Sequence, residues 1–153
     1  YKGEFFGRPE IITAPAEKDD TDTLMAVKEA IRRGYKDITI LGAMGGRADH
    51  EYANIQLCSY CAERGVSCKI RGASDYLFVI KNGSANVLRR DYRWISVFAL
   101  DEKVGGVTLR GLKYELDREE LLREFPRGVS NEFSQDEAYI SADDGMLLIM
   151  VSK

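Results

Sequence analysis

Two short segments carry most of the chemistry open to this sequence. Lys18-Asp19-Asp20-Thr21-Asp22 sets three carboxylates at the mouth of a helix. Gly42-Ala43-Met44-Gly45-Gly46-Arg47-Ala48-Asp49-His50 is a glycine turn after an apolar run, closing on an arginine and an aspartate. One aspartate suffices to cap a helix, whereas three in four positions repel one another and invite a cation, magnesium being the expected one. Gly45 and Gly46 let backbone approach a ligand closely, and Arg47 can grip phosphate oxygens with two parallel bonds. The plainer alternatives are a cap and a tight strand-to-helix turn with a surface arginine. Asp49 could cap the following helix, and His50 reads as a polar helix residue without chemistry. Taken together, the two segments supply the parts of phosphoryl chemistry on a nucleotide. They do not form a P-loop, because the lysine-serine/threonine ending is absent.

The elements that must position these residues alternate over the first half. A short strand at 11–13 leads into the acidic loop. Leu24, Val27 and Ile31 recur at helical spacing over 22–33, and Gly34 stops that helix. The β-branched run at 38–41 suits a strand buried on both faces of a parallel sheet. A helix over about 49–64, ended by Gly65, and a strand at 67–70 complete a β-α-β-α-β pattern. Ligands of such sheets sit beyond the carboxyl ends of the strands, where both segments fall. From about residue 75 strands dominate, at 76–80, 85–88, 94–99, 106–109, 138–141 and 146–151. Asn82-Gly83 and Asp144-Gly145 are hairpin signals, and one helix is expected near 117–124 with Asp117 as its cap. The expectation is an α/β fold: part of a Rossmann-like parallel-sheet domain over 1–74, then an antiparallel β-sandwich domain over 75–153. The boundary falls near 72–75.

The 153 residues can bury a sizeable core but are short for two large domains. A net charge of −3 supplies no basic stripe for nucleic acid. No apolar run is long enough to span a membrane and no signal peptide is visible, so a cytoplasmic protein is expected. The chain opens on Tyr1, and its true start is expected upstream. Cys58, Cys61 and Cys68 are read as reduced thiols, because zinc would need more ligands than His50 and one further thiol provide. In the second half Tyr114, Ser130 and Asn131 could bind a flat polar heterocycle by stacking and hydrogen bonding, or be ordinary sheet and turn residues.

Read in order, Pro15-Ala16-Glu17-Lys18-Asp19-Asp20-Thr21-Asp22, Leu41 through His50, Gly111-Leu112-Lys113-Tyr114-Glu115-Leu116 and Gly128-Val129-Ser130-Asn131 resemble the thiamine pyrophosphokinase family. The resemblance runs nearly the whole chain. It implies transfer of the terminal diphosphate of ATP to the hydroxyethyl oxygen of thiamine, releasing AMP, with Mg2+ screening the charge. It also implies a homodimer with thiamine bound between subunits. On this resemblance Asp19 and Asp22 hold the metal. Lys18, Thr21, Gly45, Gly46 and Arg47 bind the nucleotide. Asp22, Arg47 and Asp49 form the catalytic cleft, Tyr114 stacks on thiamine where relatives carry a tryptophan, and Ser130 and Asn131 form the thiamine-binding turn.

The family's earlier alanine-aspartate-glycine-glycine turn and glycine-aspartate-phenylalanine-aspartate-serine motif do not occur here. The chain is therefore expected to correspond to the C-terminal three-quarters of the enzyme, with little catalysis alone. Two alternatives are a non-catalytic thiamine-binding or oligomerising fragment and a diphosphokinase for another heterocyclic alcohol, such as a pterin.

Overall fold

In the computed structural model residues 20–153 are described; the strand expected at 11–13, with Lys18 and Asp19, lies outside them. Helix α1 (Asp22–Arg32) leads to strand β1 (Asp37–Leu41), helix α2 (Ala48–Ala62) and strand β2 (Ser67–Arg71). Eight strands follow: β3 (Asp75–Lys81), β4 (Ser84–Leu88), β5 (Trp94–Ala99), β6 (Lys103–Arg110), β7 (Leu116–Leu122), β8 (Asn131–Glu132), β9 (Glu137–Ser141) and β10 (Met146–Ser152). Thr21 caps α1, its side chain accepting from the Leu24 N–H at 3.2 Å, so a hydroxyl does the work expected of an aspartate.

The strands form a six-stranded sheet in the order β1-β2-β3-β10-β5-β8 and a four-stranded sheet in the order β4-β9-β6-β7. β1 and β2 are parallel, and the other pairings are antiparallel. The first sheet is thus mixed, and it runs without interruption across the boundary read at 72–75. One apolar cluster lies between the two sheets, built from residues such as Ile95, Val107, Ile140 and Ile149. A second, including Val27, Leu57, Ile70 and Leu148, joins the helices to the six-stranded sheet. The continuous apolar run of β10 follows from this position: it sits mid-sheet with cores on both sides.

Three expectations change. The segment read as a helix near 117–124 is strand β7, paired with β6 through two register shifts. Its charged residues favour helix weakly, but burial of Leu116 and Leu121 in the sandwich outweighs propensity, and Arg118 at φ 54 cannot continue a helix. Asn82-Gly83 and Asp144-Gly145 turn the chain but do not make hairpins. β3 and β4, like β9 and β10, belong to different sheets, so both turns are corners between layers. Finally, β1 alternates between exposed and half-buried residues instead of being buried on both faces. Among the described residues it pairs only with β2.

Candidate functional site

The glycine turn follows β1 at the carboxyl end of the parallel pair and opens into α2. Gly42 and Gly45 have φ of 72° and 86°, a region other residues enter only with strain. Asn54, inside α2, ties the turn down by donating to the Ala43 carbonyl at 3.0 Å. The turn walls an open cleft of about 650 Å³, which Thr23 of α1 and His50, Glu51 and Asn54 of α2 also line. The first turn of α1 thus borders the cleft through Thr23, with Asp22 one residue before it.

The Gly45 and Gly46 amides and the Arg47 guanidinium already hold carboxylates of the chain itself. The Gly45 and Gly46 N–H groups both donate to Glu51 Oε1, at 2.7 and 3.0 Å. Two consecutive amides converging on one oxygen form an anion nest. Arg47 places two nitrogens on the two oxygens of Asp49, at 3.1 and 2.5 Å. The Arg47 guanidinium holds the Asp49 carboxyl below the usual range against desolvation, with the His50 N–H adding to it. Both side chains are well exposed, so a ligand can reach either. Arg47 occupies the N-cap of α2 without a side-chain cap bond, so Asp49 does not cap the helix as the plainer reading had it.

Glu51 and Asn54 escaped the sequence reading. Glu51 carried one usable signal, a carboxylate in the first turn of a helix, which can reach back to free amides before it. Asp20, by contrast, is drawn off to Lys28 at 2.6 Å. Among the described residues no three metal-binding side chains gather. Asp22 at the start of α1 and Asp49 after the turn do not by themselves make a magnesium site.

The second group assembles elsewhere. The Lys113 N–H donates to the Glu132 carbonyl at 2.9 Å, and Leu112 bridges Phe133, so segments 111–114 and 130–133 lie side by side. Asn131 is 4 % exposed. Its Oδ1 accepts from the Tyr114 N–H at 3.0 Å and the Glu132 N–H at 3.0 Å, while its Nδ2 donates to the Tyr114 carbonyl at 2.7 Å. The Tyr114 ring is left 63 % exposed, with Lys113 Nζ 5.6 Å from its centroid. Ser130 sits at φ 56, its N–H donating to Ser96 Oγ at 3.0 Å. The structure therefore brings Tyr114, Ser130 and Asn131 together, but Asn131 spends most of its capacity holding Tyr114.

The three cysteines stay out of both groups. They are buried, with Cys58 and Cys68 sulfurs 3.9 Å apart. Neighbouring thiols and burial push Cys61 far up and Cys68 up to about 12, which disfavours the reactive thiolate.

Two family models match in sequence order: "Thiamin pyrophosphokinase, catalytic domain" over residues 6–70 and "Thiamin pyrophosphokinase, vitamin B1 binding domain" over residues 85–147. The chain belongs to the thiamine pyrophosphokinase family. The glycine turn lies under the first model, and Tyr114, Ser130 and Asn131 under the second. The chain is 28% identical over 145 residues to the thiamine pyrophosphokinase of Bacillus subtilis, covering 94% of this chain and 68% of that protein. The crystal structure of a Bacillus subtilis thiamine pyrophosphokinase superposes with a TM-score of 0.84 at 27% identity, covering 90% of this chain and 65% of that one. A thiamin pyrophosphokinase family protein from Enterococcus faecalis gives 0.80 at 36% identity, covering 93% and 68%. The chain thus spans about two thirds of the length of these relatives.

Proposed function

We propose that this protein transfers the terminal diphosphate of ATP to the hydroxyl of thiamine, giving thiamine diphosphate and AMP. The thiamine oxygen attacks the β-phosphorus, the bond from that phosphorus to the α-bridging oxygen breaks, and the hydroxyl proton is lost. Arg47 and the Gly45 and Gly46 amides hold phosphate oxygens, exchanging their internal carboxylates for the ligand. Asp49, released from Arg47, shapes the cleft. Thr21 and Asp22 stand at its α1 side, and Lys18 and Asp19 keep their sequence-based roles in nucleotide and metal binding. Magnesium, where bound, would neutralise charge on the phosphates. Tyr114 stacks on the thiamine rings, with Ser130 and the remaining Asn131 N–H beside it.

One observation carries this reading: among the described residues, the two groups belong to opposite edges of one sheet. The glycine turn follows β1 and the Tyr114 turn packs on β8, with four strands between them. At a strand spacing of ~4.8 Å that is roughly 24 Å, too far for a hydroxyl on one to reach a phosphate on the other. A second copy presenting its Tyr114 turn to the cleft closes that gap, which supports a homodimer with shared sites.

Subunit mixing tests it. With thiamine held well below its KM, Arg47→Ala and Tyr114→Ala proteins should each form little AMP. Mixed after mild dissociation, they should recover about a quarter of wild-type activity, because half the dimers carry one intact site. No recovery from two variants that dimerise would place both groups in one chain's site and sink the shared arrangement. No thiamine-dependent AMP from the full-length wild-type protein would sink the reaction itself.

A further inference from the structure

We propose that a second pocket, between β2, β3 and the end of β4, binds a small oxyanion of the phosphate or diphosphate class. It is lined by Lys69 and Arg71 of β2, Tyr76 of β3, Asn86 of β4, and Arg90 and Tyr92 of the following turn, with a volume of about 170 Å³. No carboxylate among the described residues lines it. Among the described residues Lys69, Arg71 and Arg90 form no ion pair, whereas cations elsewhere meet carboxylates, as Lys81 does Glu63 and Arg93 does Glu132. The nearby Asp91 is committed to Lys153. In a protein of net charge −3, three cations without a direct carboxylate partner around one concavity create a local field that favours an anion, with Asp91 offsetting only Arg71 from a distance.

The pocket is built rather than loose. Tyr76 and Tyr92 pack edge to face, centroids 5.2 Å apart, and Tyr92 is 7 % exposed. Lys69 Nζ lies 5.6 Å from the Tyr76 ring and 5.7 Å from that of Phe78, which fixes its stem along the sheet. Arg90 is held at φ 46 in the turn closed by the Tyr92 N–H on the Arg89 carbonyl. A non-glycine residue in that region is strained, and here the strain sets the chain direction that brings Arg90 to the pocket. Sites for drug-sized ligands run to roughly 300–1,000 Å³, so this smaller space suits an isolated oxyanion and excludes a whole nucleotide. Three cations match the charge of diphosphate. The pocket is distinct from the glycine-turn cleft, sharing no lining residue with it, although Arg71 pairs across the strands with Leu41 of that cleft.

Calorimetry with inorganic diphosphate at fixed ionic strength decides the matter, using Arg47→Gln protein so that the glycine-turn cleft is weakened. One site should remain in that background. Adding Arg71→Gln and Arg90→Gln should weaken it at least about tenfold per arginine, since a hydrogen bond to a charged group is worth that much. Arg71→Lys with Arg90→Lys should restore part of the binding, and all variants should keep the wild-type thermal midpoint. Methyl phosphate in a parallel titration separates a free anion from the end of an ester: binding of both favours an ester headgroup, and of diphosphate alone the free anion. Binding abolished by Arg47→Gln alone, or indifferent to the Arg71 and Arg90 substitutions, would overturn the assignment.

Discussion

Asn131 and Tyr114 hold each other in both directions: the Asn131 side chain accepts from the Tyr114 N–H and donates to the Tyr114 carbonyl. A buried primary amide is the side chain that can do both at once from one place. The exposed aromatic ring is therefore a consequence of a buried polar lock. Asn131→Ala leaves the Tyr114 and Glu132 N–H groups without their partner, a loss of about 1–3 kcal/mol. The thermal midpoint should fall by roughly 3–10 °C for a chain of this size. Tyr114→Ala removes only the exposed ring, so the midpoint should hold while thiamine affinity drops roughly fivefold to tenfold. Calorimetry on both variants checks this, and an unstable Tyr114→Ala would mean the ring is structural.

Glu51 places a negative charge where phosphate oxygens would bind. At about 5 Å in water-like surroundings that repulsion is worth about 1 kcal/mol, or roughly fivefold in affinity. Glu51→Gln keeps an oxygen for the Gly45 and Gly46 amides and removes the charge. Its affinity for ATP should therefore rise several-fold with the fold intact. Weaker ATP binding by a stable Glu51→Gln protein would show instead that the charge itself orders the turn.

How far the sequence discloses this arrangement depends on the distance over which each interaction acts. The helices beginning at Asp22 and Ala48, the strand before Gly42 and six strands of the second half follow from local periodicity. So do the positions of the corner turns, since Asn82 and Gly145 are turn residues wherever they occur. Which sheet each flanking strand joins depends on partners some sixty residues away, and no local pattern carries that. The same is true of β7: the sequence after Leu116 is compatible with a helix until β6 is present to pair with it. At the site, glycine, arginine and aspartate advertise phosphate chemistry by type. The nest that Glu51 fills appears only once the backbone has turned two amides toward it.

Glu29 gives a pH dependence with a defined direction. Side-chain bonds from Arg32 and Arg33 lower its carboxyl from 4.5 to about 2. A depressed carboxylate contributes stability that is complete above its unfolded value and is lost as pH falls through the folded one. The difference in thermal midpoint between wild type and Glu29→Gln should thus be constant from neutral pH to about 4.5 and vanish toward about 2. Because the ion pairs with Arg32 and Arg33 lie at the protein surface, salt should shrink the difference throughout. A difference that survives at the acid end would assign the effect to packing of the Glu29 stem.

The two corners between the sheets are clasped together. The Gly145 N–H donates to Asn82 Oδ1 at 2.7 Å, and the Asn82 N–H donates to the Gly145 carbonyl at 3.1 Å. Asn82 also sits at φ 46, where asparagine is tolerated and alanine is not. Asn82→Gly loses the side-chain bond but no backbone comfort, a cost of about 1 kcal/mol. Asn82→Ala loses the bond and adds left-handed strain of about 1–2 kcal/mol. Chemical denaturation should therefore rank wild type above Asn82→Gly and Asn82→Gly above Asn82→Ala, with unchanged denaturant slopes. If alanine and glycine are equal, the strain is relieved elsewhere in the turn and the hydrogen bond alone sets the corner.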